Sequence, residues 1–157
     1  MHQEIVTALL EAVRQVLRDT DIAVESVEPG DPFGAEAQVI STIGLTGDLK
    51  GIFMLRTDTP GAVSIVKAMM GGLRLPAEAD GLSEIQLAAI AEISNQIAGR
   101  AITLLSERGL RCDITPPAVV CAAQMHSLVP DLAESSRHTV RGPFGQLTVF
   151  LGIQGAD

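Results

Sequence analysis

The sequence predicts an α+β protein, and three observations lead to that prediction. Two long segments repeat apolar residues at the helical period, and two pairs of β-branched or apolar runs flank short turns. The two long helical segments also resemble each other, which indicates an internal duplication. A chain of 157 residues is long enough for one domain with a core, so a single domain is expected over residues 1–157.

The composition is typical of a globular protein outside the membrane. Hydrophobic residues make up 46% of the chain, yet no uninterrupted apolar run approaches the roughly 18 residues of a membrane span. The segment Met1–Arg18 carries Glu4 and Glu11, where a secretory signal would be basic and then apolar. We therefore expect a cytoplasmic protein without a membrane partner.

Charge and cysteine spacing argue against two functional classes. The net charge is -8 and there is no basic run, which argues against a nucleic-acid partner. Cys112 and Cys121 lack C-x-x-C spacing and the three histidines are scattered, so neither a disulfide framework nor a metal site is predicted.

The first half of the chain is predicted to form a helix, a strand, a hairpin and a second helix. The expected bounds are Glu4–Arg18, Ile22–Val27, Gln38–Leu45 with Leu49–Arg56, and Pro60–Met70. Thr46-Gly47-Asp48 is the predicted hairpin turn, Asp58 or Thr59 the cap of the second helix, and Gly71-Gly72 its end. The predicted inward residues of the two helices are Ile5, Leu9, Ala12 and Val16, and then Val63, Val66 and Met70.

The second half begins with the longest periodic segment, Leu82–Gly109, with Ser83 as its N-cap and Gly109 just past its end. Short strands follow, and a double proline between them predicts an edge or a bend. A final hairpin turns at the segment 142–145. The bounds of these strands are Arg111–Thr115, Ala118–Ala122, Arg137–Arg141 and Gln146–Ile153, and Gln124–Ser136 is too weakly patterned for an assignment.

The long second-half helix has an unusual outward face. Its inward residues are predicted to be Ile90, Ile93, Ile97, Ala101 and Leu104, and its outward residues Ala88, Glu92, Asn95, Gly99, Thr103 and Ser106. A solvated helix face normally carries long Lys, Glu and Arg side chains, whereas this face is mostly small. Glycine costs a helix interior roughly 1 kcal/mol relative to alanine, so Gly99 indicates that something approaches the backbone closely.

The two long helices align without a gap between residues 8–16 and 89–97. Glu11 falls on Glu92 and Gln15 on Gln96, and the helical period does not require either outward match. Arg14 stands where the second helix has Asn95. Duplication therefore explains the alignment, with one outward residue changed.

Glu92 and Asn95 are three residues apart, so their side chains are neighbours on the helix surface. One interpretation is a solvated surface pair, because short motifs often occur by chance. The other is a site, since a carboxamide can donate and accept hydrogen bonds to an outside group such as water. No nucleophile with a base is evident nearby, which favours positioning a water in trans over covalent catalysis.

Several blocks in the same order carry a family resemblance. They are Ile43–Gly47, Ala68–Gly72, Glu92-Ile93-Ser94-Asn95, Gly99, Asp113–Pro117 and Val119-Val120. Together they resemble the CheC/CheX chemotaxis phosphatase family and fit its CheX-like members better. The resemblance covers residues 4–122, and beyond that it depends on strand pattern.

The resemblance implies an internally duplicated fold with two long helices on one face of an antiparallel sheet. It also implies a homodimer formed through sheet edges. Because Arg14 replaces the amide in the first helix, one site per chain is expected.

In function, the resemblance implies a two-component signalling enzyme that hydrolyses the aspartyl phosphate of a CheY-like response regulator. Asn95 would orient the attacking water and Glu92 would pair with the regulator's lysine. Ala88, Ala91 and Gly99 would line the partner-binding surface, although the family often has Asp or Ser at the position of Ala88. No cofactor of its own is expected, and Mg²⁺ would be held by the regulator. The alternative is a noncatalytic module that binds regulators or acts as a dimeric scaffold.

Overall fold

The computed structural model describes residues 2–33, 39–73, 81–121 and 134–154. Three helices and seven strands lie within these ranges. In chain order they are α1 (His2–Asp19), β1 (Ser26–Pro29), β2 (Val39–Gly47), β3 (Gly51–Thr57), α2 (Thr59–Met69), α3 (Glu84–Glu107), β4 (Cys112–Ile114), β5 (Ala118–Cys121), β6 (Glu134–Gly142) and β7 (Gly145–Ile153). Within the described ranges, no helix is both long and apolar enough to cross a membrane.

The strands form one antiparallel sheet in the order β1-β6-β7-β3-β2-β4, and β5 pairs with β2 beside β4. The strands β3 and β7 pair at its centre, with Met54 opposite Phe150. The strands around the double proline lie outside β2, so the predicted edge position is confirmed. The α+β class and the antiparallel sheet are likewise confirmed.

The two halves of the chain exchange their first strands. β1 of the first half pairs with β6 of the second, while β4 and β5 of the second half pair with β2 of the first. The two hairpins then meet through their last strands, β3 and β7. This approximate twofold arrangement is the one expected of a duplicated chain, with α1 and α3 as equivalent helices.

Two glycines, one in each half of the chain, occupy equivalent positions in this twofold arrangement. A Cβ on Gly47, at the end of β2, would lie 2.5 Å from the Arg111 carbonyl oxygen, and one on Gly142, at the end of β6, would lie 2.3 Å from that of Ala23. A Cβ at either distance would overlap the carbonyl oxygen. Each of these two strand ends therefore requires glycine, because the backbone of the other half of the chain lies against it.

The main core lies between the helices and one face of the sheet. Alternate strand residues point into it, among them Ile43, Phe53, Val140 and Val149. A smaller cluster of Ile40, Met54 and Phe150 lies apart from this core, and these residues alternate with the inward ones along their strands. The helices therefore cover one face of the sheet.

Two residues predicted to point inward differ from the structure. In α2, Val63 is 41% exposed, and the buried apolar side chains are Ala62, Ile65 and Val66. In α3, Leu105 is buried and Leu104 only half-buried. Neighbouring residues lie about 100° apart around a helix axis, so these errors come from choosing the wrong residue at the edge of an apolar stripe.

The first strand also begins later than predicted. Ile22 is buried and its N–H donates to the Leu17 carbonyl at 2.8 Å, just after Asp21 adopts a positive φ of 59°. An apolar residue after a left-handed one is a common helix ending, so Ile22 completes α1 and does not start β1. The first hairpin turn is also later, at residues 48–50.

The segment Leu73–Gly81, between the second and third predicted helices, lies mostly outside the described residues, as does most of Gln124–Ser136. The described part of the latter opens β6 at Glu134. β6 and β7 are joined by the two residues Pro143 and Phe144, with Gly142 paired to Gly145. The predicted position of the second hairpin turn is therefore confirmed.

A buried ion pair lies beside the smaller apolar cluster. The Arg56 guanidinium bonds to the Asp31 carboxylate, and the two side chains are 3% and 7% exposed. Asp31 Oδ1 also accepts from the Phe33 N–H and the Thr148 hydroxyl, both at 3.0 Å. The carboxylate therefore fastens the loop after β1 to strands β3 and β7.

Replacing Asp31 with alanine should destabilise the protein strongly, because the Arg56 guanidinium would stay buried without its counter-charge. The expected loss in the free energy of unfolding is about 3 kcal/mol, measured by urea denaturation. Glu28→Ala is the control, since the Glu28–Arg141 pair is 3.8 Å long and its side chains are 55% and 45% exposed. That variant should lose less than about 1 kcal/mol, and equal losses would contradict the assigned role of Asp31.

Candidate active site

The helix α3 is fixed at both ends by its own sequence. At the N-terminus, the Ser83 hydroxyl accepts from the Gln86 N–H at 3.2 Å, and Gln86 Oε1 accepts from the Ser83 N–H at 2.9 Å. This reciprocal capping box satisfies two otherwise unpaired donors. At the C-terminus, Gly109 has a φ of 86°. Both predicted ends of the helix are therefore confirmed.

One side of α3 is held in the core. Ile90, Ile93, Ile97 and Ala101 are buried there as predicted. Ser94 is also buried, and its hydroxyl donates to the Ile90 carbonyl one turn earlier at 2.9 Å, so it needs no partner from outside the helix. The burial of this side fixes the direction in which the remaining residues point.

The opposite side carries the predicted site residues. Glu92, Asn95 and Ala88 are exposed, while Ala91 and Gly99 are partly exposed. Among the described residues, nothing lies within 4 Å of a Cβ added to Gly99. Packing against this part of the chain therefore does not explain the glycine.

The sequence alone does not identify Gln96, which lies beside Glu92 and Asn95, as a functional candidate. Gln96 Nε2 donates to Glu92 Oε1 at 2.9 Å, so the amide holds one oxygen of the carboxylate. Within the described residues, the Asn95 carboxamide has no hydrogen-bond partner. The sequence alignment had marked Gln96 as repeated, and the spacing of four residues was the signal that it could reach Glu92.

The equivalent surface of α1 is engaged in contacts with α3. Gln15 Nε2 donates to Glu11 Oε1 at 3.1 Å, as its counterpart does in α3. However, Gln15 Oε1 accepts from Arg100 at 2.8 Å, and Glu11 Oε2 pairs with Arg108 at 3.8 Å. Each oxygen of the Glu11 carboxylate therefore has a partner, Gln15 for Oε1 and Arg108 for Oε2.

The site residues lie on the exposed face of a helix. Two apolar cavities between the helices and the sheet are lined by core residues and include neither Glu92 nor Asn95. Among the residues that the structure describes, no three His, Cys, Asp or Glu side chains are grouped to hold a metal. The arrangement presents an exposed carboxylate and an exposed carboxamide side by side on the helix surface.

In the part of the chain that the structure describes, two titratable groups have shifted pKa values, and neither belongs to this face. Burial raises the pKa of the Cys121 thiol on β5, and an N–H bond from Leu82 lowers it by a smaller amount. Burial lowers the pKa of His138 on β6. Both residues lie on strands, so they give no reason to expect acid–base chemistry at Glu92 and Asn95.

Solved structures share this architecture. A CheC-like superfamily protein from Shewanella sp. PV-4 matches with a TM-score of 0.81 and 19% identity over 99% of this chain and 100% of its own. CheX in the CheX-CheY-BeF3-Mg²⁺ complex from Borrelia burgdorferi matches with a TM-score of 0.79 and 22% identity, covering 96% of this chain and 97% of its own. These likenesses place the chain in the CheC-like class of folds.

Sequence comparison is more specific. The family described as chemotaxis phosphatase CheX matches residues 39–140. The CheY-P phosphatase CheX of Thermotoga maritima is 34% identical over 123 residues, which are 76% of this chain and 77% of that protein. The chain therefore belongs to the CheX family of chemotaxis phosphatases, and the predicted family is confirmed.

Gly99→Ala should stabilise the isolated protein, because a Cβ fits without contact and alanine is the better helix former. The free energy of unfolding should rise by about 0.5–1 kcal/mol in urea denaturation. Ala88→Gly, on the same exposed face, is the reverse control and should lose a similar amount. A loss of stability in Gly99→Ala would show that the fold itself requires this glycine.

Proposed function

We propose that this protein accelerates hydrolysis of the aspartyl phosphate on a phosphorylated CheY-like response regulator. The observation that carries the proposal is the exposed Glu92–Asn95 pair on an outward face of α3 with few long side chains, in a chain of this family. The Thermotoga maritima relative is a CheY-P phosphatase. An exposed helix face suits this chemistry, since the phosphate would lie in the regulator's own site.

Asn95 is the proposed water-positioning residue. Phosphoryl transfer is catalysed mainly by positioning and by charge stabilisation, so a carboxamide can assist without acting as a base. The exposed side chain can donate one hydrogen bond and accept another, which is what orienting a water requires. Its place on a rigid helix reduces the freedom that would be lost on entering the regulator.

Glu92 is the proposed partner of the regulator's lysine. Its carboxylate is exposed, and Gln96 holds only one of its two oxygens. An ammonium could therefore approach the other oxygen without breaking the bond to Gln96. Such a pair would dock the regulator in one orientation relative to Asn95.

Ala88, Ala91 and Gly99 complete the proposed partner-binding surface. Their short side chains let a helix or loop of the regulator come close to α3 on both sides of Asn95. Ala88 occupies a position where the family often has Asp or Ser, so here the docking contact would be apolar. Mg²⁺ would be bound by the regulator, and the proposal assigns this chain no metal or other cofactor.

Three further features belong to the same proposal. We place the protein in the cytoplasm, where it would act in chemotaxis signalling. It would form a homodimer through a sheet edge. In the described residues, the sheet edges are β1 on one side and β4 with β5 on the other.

As the second candidate, a noncatalytic regulator-binding module would use the same exposed face. Binding without accelerated phosphate loss would favour this candidate.

Asn95→Ala should abolish stimulated dephosphorylation, because the amide that orients the water is lost. We expect a decrease of at least about a hundredfold, which corresponds to about 2.7 kcal/mol in the barrier. The measurement is the rate of phosphate release from each CheY-like regulator of the same organism, with and without the protein. Circular dichroism and urea denaturation should match the wild type, since Asn95 is exposed.

Arg14→Ala is the matched control for that variant. It removes the exposed residue of α1 at the position equivalent to Asn95, and activity should change by less than about twofold. Equal rates with wild type and Asn95→Ala would refute the role of Asn95. A large loss in Arg14→Ala would show that α1 takes part in the site.

Gly99→Gln should weaken regulator binding by about tenfold or more, because a long side chain would occupy the space proposed for the partner. Titration of fluorescently labelled regulator, activated with beryllofluoride, measures the Kd. Gly99→Ala should bind almost as the wild type does, and Thr7→Gln on the exposed part of α1 controls for an added glutamine. Unchanged binding in Gly99→Gln would rule out close approach at this position.

A further inference from the structure

The two long helices make the same hydrogen bond at equivalent positions. Gln96 donates to Glu92 at 2.9 Å in α3, and Gln15 donates to Glu11 at 3.1 Å in α1. In both cases the glutamine follows the glutamate by four residues, so helix geometry allows the bond in either place. The two pairs differ in what surrounds them.

In α1, the pair belongs to a set of contacts between helices. Arg100 donates to Gln15 and lies 3.5 Å from the Asp19 carboxylate, and Arg108 pairs with Glu11. Both oxygens of Glu11 therefore have a partner on one helix or the other. This pair contributes to how α1 sits beside α3.

In α3, the Glu92–Gln96 pair takes no part in those contacts between the helices. Glu92, Gln96 and Arg100 form one row in which each member follows the previous one by four positions, and Arg100 reaches the last turn of α1. Within the described residues, Glu92 Oε2 and Gln96 Oε1 have no partner. The contact between the helices does not require the Gln96–Glu92 bond.

We propose that Gln96 is a positioning residue that fixes the Glu92 carboxylate for the regulator's lysine. By holding Oε1, it leaves Oε2 to receive the ammonium group. This inference rests on the proposed function, because it assigns Gln96 a purpose only if Glu92 meets a lysine. Gln96 itself is not a catalytic residue, since it acts through Glu92.

The physical reason is the freedom of an exposed glutamate. Its three side-chain torsions are otherwise mobile, and ordering them on binding would reduce affinity. A hydrogen bond already made in the free protein removes part of that loss. It also restricts which oxygen the lysine meets, and so the orientation of the regulator relative to Asn95.

Gln96→Met keeps the length of the side chain and its helix propensity but removes the donor. The Kd for beryllofluoride-activated regulator should rise roughly threefold to tenfold, in keeping with one hydrogen bond at an exposed site. In turnover, the KM for phosphorylated regulator should rise by a similar factor while kcat stays within about twofold, because Asn95 is unchanged. Gln15→Met breaks the equivalent bond in α1 and should leave both quantities unchanged.

Gln96→Lys separates positioning from helix stability. A glutamate followed by lysine four residues later stabilises a helix, so the free energy of unfolding should not fall. The new ammonium would nevertheless neutralise Glu92 and repel the regulator's lysine. We expect Gln96→Lys to bind regulator more weakly than Gln96→Met.

A double-mutant cycle in Kd decides whether Gln96 acts through Glu92. In a Glu92→Ala background, Gln96→Met should have no further effect, because the group that it positions is absent. If Gln96→Met weakens binding equally in both backgrounds, or leaves the wild type unchanged, the inference is overturned. If the wild type accelerates dephosphorylation in the same experiments, the proposed function survives that result. If the wild type neither binds nor accelerates, both fail together.

Discussion

The burial of one side of α3 against the sheet is the constraint on which the candidate site depends. Ile90, Ile93 and Ile97 are each less than 5% exposed, so the helix cannot rotate without exposing three large apolar side chains. With that rotation fixed, Glu92 and Asn95 must point away from the core. The capping box at Ser83 then fixes where along the chain the helix begins. Apolar packing therefore sets the direction in which Glu92 and Asn95 point, and the hydrogen bond from Gln96 holds only the Glu92 carboxylate.

The sequence was sufficient for the elements whose pattern is local. The period of α3, its cap at Ser83 and the two hairpins depend on neighbouring residues, and each was predicted near its observed place. The outward direction of Glu92 and Asn95 followed from the same period. Residues at the border of an apolar stripe were harder to assign, as Val63 and Leu104 illustrate, because their burial depends on the neighbouring element and not on the period.

Contacts between residues far apart in the sequence could not be predicted from local patterns. The ion pair between Asp31 and Arg56 joins a loop to a central strand, and no local sequence pattern indicates it. The contacts of Arg100 and Arg108 with α1 likewise require the packing of the two helices to be known. In these contacts Arg108 pairs with the Glu11 carboxylate of α1, whereas Glu92 accepts only from Gln96 in the described residues. The alignment alone shows only that Arg14 stands in place of Asn95.

The exchange of strands between the halves makes the sheet strongly non-local. Ser26 pairs with Arg141, and Val39 pairs with Cys121, so each half lacks an edge strand until the other has been made. Pairing of residues far apart in sequence must first overcome the entropy of closing a long loop, which slows folding. During synthesis, the first half would leave the ribosome with β2 open on one side until β4 and β5 follow. Complete folding is therefore expected only after β6 and β7 have emerged. Until then the nascent chain has unpaired strand edges, first on β2 and β3 and later on β3 alone, and such edges promote aggregation.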